Sequence, residues 1–312
     1  MTTSVRKVPA AATTETVPGG TADGVWGGGA PRDRYRYRYR GRYRGRYRAR
    51  PRYRSSRTAP RVLLAAGVVL LLAGLVSACA KETHAIEDER RAFSLEHLDT
   101  DEPLVIEAHN SRVELLTDPA LDGEVAVARW FRAEKVQGRT GISWSMTGDG
   151  RLELKAVCKG IITTCDARHV VTVPEGIAVR ATSSNGSLEA AGFTDGLELS
   201  TSNGALTVTG CSGPLTLESD NGTITAEGVD SATVRASSRN GGIALSLSGA
   251  PAVVETDSVN GDTVIEVPGE ARYDVRAHAR NGDEQVSVER GGEEHVITAE
   301  STNGGITVRP RP

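Results

Sequence analysis

Four aspartates, Asp220, Asp257, Asp262 and Asp283, stand beside recurring Asn-Gly pairs in the C-terminal two thirds of this 312-residue chain. Two carboxylates converging on one outward face, about 5 to 10 Å apart, are what glycoside hydrolysis requires. These four do not share one position relative to the Asn-Gly pairs, so they read as acids on a solvated face and no catalytic residue is assigned. The six histidines (His84, His97, His109, His169, His278 and His295) show no HExxH spacing, and no serine sits in a nucleophile elbow. Walker loops, GxGxxG turns and acidic calcium repeats are missing too; ESDNGT, Glu218 to Thr223, is the one acid-rich turn where a weak Ca²⁺ contact would sit. Cys158 and Cys165 flank KGIITT, a spacing that suits a disulfide closing a hairpin or loop. Zinc would need further ligands at short spacing and only His169 is near, so neither metal nor cofactor is expected. Cys211 reads as a small apolar residue at a corner.

The Asn-Gly pairs organise the chain. They fall at Asn185-Gly186, Asn203-Gly204, Asn221-Gly222, Asn240-Gly241, Asn260-Gly261, Asn281-Gly282 and Asn303-Gly304, at spacings of 18, 18, 19, 20, 21 and 22 residues, with a degenerate copy at Asn110-Ser111. Six residues before each Asn the residue is apolar: Leu104, Val179, Leu197, Leu215, Val234, Val254, Val275 and Ile297. Two before it the residue is always small: Ala108, Ser183, Thr201, Ser219, Ser238, Ser258, Ala279 and Ser301. Three and five after it the residues are apolar, except Thr263 and Glu284. Alternation with period 2 therefore runs up to each Asn and changes phase after the Gly, so the chain turns while its apolar face stays inward.

A two-residue hairpin and a solenoid corner both satisfy that parity. Near-constant coil length and like-on-like columns favour an all-β solenoid of about 18 to 22 residues per coil. In such a stack the Asn amides line up about 4.8 Å apart and hydrogen-bond from rung to rung. Each following Gly is expected to supply a positive φ that closes the corner. The Asn-Gly pairs are thus structural corners rather than ligand sites. Residues Asp118 to Thr172 break the repeat and are expected to form longer strands or hairpins over one end of the solenoid. At the other end Pro310 and Pro312 would discourage edge pairing.

Formal charge divides the chain: residues 1–61 carry +13 and residues 79–312 carry −16, on either side of the uncharged run Val62 to Ala78. RDRYRYRYRGRYRGRYRARPRYR, Arg32 to Arg54, has no apolar period from which to build a core and is expected to be disordered. The run ends in Val76-Ser77-Ala78-Cys79, which resembles a bacterial lipobox. That resemblance implies cleavage before Cys79 and a lipid on its thiol; the alternative is an uncleaved signal anchor. Arg57 and Arg61 flank the run, so either topology leaves residues 1–61 in the cytoplasm and sends residue 80 onward outside. The expected organisation is 1–61, a disordered Arg/Tyr-rich tail or a leader upstream of the true start; 62–79, a signal or transmembrane segment; 80–100, a tether; and 101–312, the solenoid.

The serial SxNGxLxVxG repeats, the VTVPEG lead-in (Val171 to Gly176), the preceding Cys pair and the lipobox together resemble the bacterial putative-adhesin family, a domain of unknown function. The resemblance spans roughly residues 100–310 and implies a right-handed β-solenoid in the cell envelope; no functional residues come with it. Phe193 and Tyr273 are the only aromatics of the repeat region, which argues against a lectin, and the charge of −16 argues against nucleic acid as a partner of the body. The expectation is a membrane-anchored binding or structural module that is not an enzyme, with the membrane and an unidentified envelope protein or surface ligand as partners. The alternative is a β-helix carbohydrate-active enzyme.

Overall fold

The computed structural model describes residues 82–96, 98 and 102–312. The expectations for residues 1–61, for the apolar run and for Cys79 lie outside the described residues. Among the described residues every regular element is a β-strand. In chain order they are β1 (Glu82–Ser94), β2 (Leu104–His109), β3 (Arg112–Thr117), β4 (Glu124–Met146), β5 (Arg151–Val173), β6 (Val179–Asn185), β7 (Leu188–Ala191), β8 (Leu197–Asn203), β9 (Leu206–Thr209), β10 (Leu215–Asn221), β11 (Ile224–Val229), β12 (Thr233–Asn240), β13 (Ile243–Leu247), β14 (Val253–Asn260), β15 (Thr263–Val267), β16 (Asp274–Asn281), β17 (Glu284–Val286), β18 (Val296–Asn303) and β19 (Ile306–Pro310).

Each Asn joins a strand of one wall to a strand of the other, and successive coils stack in parallel. Leu197 of β8 lies between Val179 and Leu215, and Leu206 of β9 lies between Leu188 and Ile224. The architecture is the β-solenoid that the columns of like residues require. Inward residues of both walls, such as Leu199, Leu206, Leu217 and Ile224, are fully buried and form one continuous core. Phe193, Cys211, Val229, Leu247 and Val267 close its third side. Burying each large aliphatic stabilises the stack by about 1.5 to 3 kcal/mol.

Spatial order departs from chain order at the C-terminus. β14 pairs with β18 and β15 with β19, while β16 and β17 pair with β18 and β19 from the far side. The last coil is thus inserted between the two that precede it, and the terminal rung is β16 with β17. The physical reason is Glu284, which occupies an inward position where the other coils carry Val, Leu, Ile or Thr. Burying an unpaired carboxylate costs several kcal/mol. The C-terminal coil offers Ile297, Ala299, Ile306 and Val308, all fully buried, and suits an internal place. At the end of the stack Glu284 is exposed, and its carboxylate accepts the Ala279 N–H at 2.7 Å. Pro310 is accordingly not at the free edge, as its sequence position suggested, but pairs with Val267.

The segment that breaks the repeat forms a long antiparallel ribbon, β4 with β5, in register from Ala126–Thr172 to Met146–Leu152. The two ends of β5 serve as the coil beneath the first one: Arg151–Lys155 pair with β2 and Arg168–Val173 with β3. Where β2 passes to β3 through Asn110 and Ser111, β5 spends residues 156–167 on an excursion beyond the corner. Cys158 and Cys165, both in β5, are joined by a disulfide at a Cα separation of 6.4 Å. A straight strand would hold residues seven apart at about 23 Å. The ribbon therefore doubles back. It does so at Gly138 and Gly160, which face each other with φ of 130° and 120°. A Cβ on either would lie 2.0 to 2.2 Å from a carbonyl oxygen of the opposite strand. A second small core, Phe131, Ala133, Ala156 and Ala167, fills the folded arm.

The stretch expected to be a tether instead contributes β1, thirteen residues paired antiparallel with β4 from Glu82–Lys135 to Ser94–Glu124. Its charges hide its strand character, because an outermost strand is wetted on its faces and needs few apolar residues. The Arg, Asp and Glu residues on this edge also discourage pairing with other chains.

Candidate interaction surfaces

At the corners, the Asn side chains form an unbroken amide ladder. Nδ2 of each donates to Oδ1 of the next, from Asn281 to Asn303, Asn260, Asn240, Asn221, Asn203, Asn185 and Asn110, at 2.9 to 3.1 Å. Asn110 ends the series by donating to the Ala156 carbonyl at 3.3 Å. The small residues two before each Asn reinforce the same corners. Thr201, Ser219 and Ser238 donate their hydroxyls at 3.3 Å to the corner carbonyls of Gly186, Gly204 and Gly222.

The glycines serve a different purpose from the one expected. Of the corner glycines, only Gly186, Gly261 and Gly304 have φ in the range that disfavours side chains, near 152° to 154°. The common constraint is contact between rungs: a Cβ on Gly222 would lie 1.9 Å from the Gly204 oxygen, and one on Gly241 2.0 Å from that of Gly222. Ser111 escapes this because the coil beneath it has left the corner as the arm. Its hydroxyl reaches the buried His169 there, Oγ to Nδ1 3.1 Å. Burial, with Arg129 nearby, lowers the pKa of His169 from 6.5 to about 4, and its Nε2 has no partner. It is a neutral packing residue. Its spacing to the cysteines suggested only a weak zinc candidacy, and nothing in the sequence pointed to Ser111.

The other residues singled out in the sequence are dispersed. Asp220 pairs with Arg239 on one wall. Asp262 accepts the Gly305 N–H at 2.8 Å. Asp283 shares the Asp262 position, but the inserted last coil lies between their rungs. Asp257 alone acquires an acidic neighbour, Glu300, by register. The two line a shallow depression of about 340 Å³ together with Glu218, Arg235 and Glu255. The sequence could not reveal that pairing, because it depends on the inserted coil. Cys211 is buried, its thiol pKa raised by burial, and Sγ accepts the Phe193 N–H at 3.4 Å. Among the described residues, no group of three or more His, Cys, Asp or Glu is placed to hold a metal ion.

Elsewhere the outer walls carry cross-rung ion pairs such as Arg180–Glu198 and Arg235–Glu255, both at 2.8 Å. Exposed as they are, each contributes about 1 kcal/mol or less. They tie neighbouring rungs together along the walls.

Fold and surface together define a capped β-solenoid with ladder-paired corners. Residues 143–309 match the Toastrack DUF4097 family, and the chain belongs to it. Solved structures similar to it include a putative adhesin from Bacteroides fragilis, 16% identical with a TM-score of 0.46, over 72% of this chain and 97% of that one. A putative cell adhesion protein from Clostridium sporogenes is 10% identical with a TM-score of 0.36, over 72% and 99%. A putative adhesin from Parabacteroides merdae is 11% identical with a TM-score of 0.36, over 72% and 97%. No curated protein matches the chain.

Proposed function

We propose that this protein is a membrane-anchored, extracytoplasmic binding or structural module of the bacterial cell envelope, adhesin-like in that it works by surface contact. The observation that carries the reading is the pair of long outer walls, built of strands stacked in register, whose outward side chains repeat at the rung spacing of about 4.8 Å. A stack held by a continuous core and an amide ladder is stiff, so it can present an extended surface at little entropic cost on binding. The Val76-Ser77-Ala78-Cys79 motif supports attachment through a lipid on Cys79. The disulfide between Cys158 and Cys165 is in keeping with an oxidising, exported location.

Mass spectrometry of the protein extracted from membranes tests the anchor: a mature N-terminus at Cys79 carrying a diacylglyceryl group is expected. Recovery of Arg32 to Arg54 peptides from the same material would instead indicate a retained signal anchor. For the binding role, surface-immobilised protein is expected to retain a component of envelope extracts, and retention of none would overturn it. One observation favours the second reading, a carbohydrate-active enzyme, namely the Asp257–Glu300 pair. Polysaccharide turnover abolished by Asp257→Asn would establish it. The depression these residues line holds no aromatic ring on which a sugar could stack.

A further inference from the structure

The tip of the disulfide-locked arm carries a charge pattern that its surroundings do not neutralise. Register places Arg139 directly opposite Lys159, with Gln137 opposite Ile161 one step further out. Opposed residues share a face, so the two cations lie together on one side of the ribbon, and Ile161 stands immediately across the Gly138–Gly160 crossing from them. All four are exposed, Ile161 to 59%, in a body whose formal charge is −16. Like charges directly across a strand pair are destabilising. Among the described residues neither Arg139 nor Lys159 has a carboxylate partner, whereas Lys135 nearby is paired with Glu82 at 3.1 Å. The Cys158–Cys165 bridge and the tight Gly138–Gly160 crossing hold this tip in a fixed shape.

The same register says where the chain enters the domain. Glu82 lies across from Lys135, and Lys135 across from Ile162, so the first residue of β1 sits two strand spacings, about 10 Å, from Ile162, the chain neighbour of Ile161. Cys79 is three residues upstream and can be no more than about 11 Å from Glu82. β1 then runs away from the tip toward the solenoid. Any attachment at Cys79 therefore brings the cationic, isoleucine-bearing end of the arm to the attachment surface and holds the acidic coils away from it.

We propose that the arm tip is a membrane contact: Arg139 and Lys159 meet the phosphates of anionic phospholipid headgroups, and Ile161 enters the boundary between headgroups and acyl chains. This rests on the anchored reading given above. A cation near an anionic bilayer contributes about a fivefold preference, so the two together give roughly thirtyfold. Ile161 adds apolar burial at a single point, as an interfacial anchor does.

The test uses the full chain reconstituted into vesicles of phosphatidylglycerol and phosphatidylcholine, or of phosphatidylcholine alone, with brominated acyl chains. Flotation with the vesicles reports the anchor. The emission added by Ile161→Trp, relative to the parent prepared in the same way, reports the tip. The proposal expects that added emission to be quenched in the anionic vesicles. Quenching should be lost in neutral vesicles and in the triple variant with Arg139→Gln and Lys159→Gln. In the parent chain, acetylation of Lys159 should be suppressed by anionic vesicles alone, a readout independent of how well the tryptophan variant folds. Unquenched emission together with freely acetylated Lys159, in a chain that still floats, overturns the contact and leaves the anchor standing. Equal protection by neutral vesicles overturns the headgroup assignment. A chain that does not float overturns both.

Discussion

The side-chain amide of Asn303 donates to Asn260 at 3.0 Å, a partner 43 residues back, and passes over Asn281, which stands closer in sequence. That contact marks the coil inserted between its predecessors.

Removal of residues 296–312 should therefore cost two rungs. β16 and β17 would lose the strands they stand on, and Glu284 would be left to face the apolar edge of β14 and β15. Hydrogen exchange in the truncated chain is expected to show β16 unprotected along with an exposed β14. Retained protection of β16 would mean that the coils can stack in chain order.

At the corners, contact should matter more than hydrogen bonding. Asn221→Ala removes the donor to Asn203 and Ser202 and the acceptor of the Asn240 amide, all in an exposed setting, for an expected loss of about 1 kcal/mol. Gly222→Ala sets a methyl 1.9 Å from the Gly204 oxygen and must spread two rungs, for an expected loss of more than about 2 kcal/mol. Urea denaturation of the two variants checks the order; the reverse order would refute the close-contact account of the glycines.

His169 should make the domain sensitive to mild acid. Its pKa falls from 6.5 to about 4 on folding, so between those values the unfolded chain binds the extra proton. Stability from this group is full above the unfolded value and is lost as pH falls through the window, by about 2 kcal/mol at pH 5. His169→Gln keeps a hydrogen-bonding side chain beside Ser111 without the titration. The variant is expected to show a flatter stability profile between pH 6.5 and 5, measured by denaturant midpoint.

Glu284 should act as a guard on the terminal rung. Its carboxylate occupies the Ala279 N–H, a donor that an added strand would otherwise use. Val275, Ala277 and Val286 are only partly buried there, so an apolar residue at position 284 would complete an uncovered core edge. Glu284→Ile is expected to give concentration-dependent association in sedimentation velocity, whereas Glu284→Gln, still polar, should not. No association by the isoleucine variant would show that the edge is protected in some other way.

Much of this molecule was legible in residue order, and the exceptions have identifiable causes. Columns at constant offsets from each Asn determined strand parity, inward faces and the ladder, because a period of two in stacked copies leaves little freedom. The insertion was foreshadowed only by Glu284, whose charge at a core position broke the pattern without showing where its coil would go. The arm was hidden because doubling back depends on two facing glycines and a disulfide within one strand, while local alternation reads straight through. The β1 strand was missed because its outermost position removes the apolar signal. His169 drew no structural role because its burial arises from a neighbour, Ser111, on a distant corner.

The inserted coil also sets the timing of maturation. A chain that emerges from its N-terminus makes β16 and β17 before the segment that must slip beneath them, and Val296–Pro310 comes last. No partial product, however long, can hold a finished far end. Completion waits on Val296–Pro310, so synthesis that stalls before this segment leaves a stack without the rung on which β16 and β17 rest.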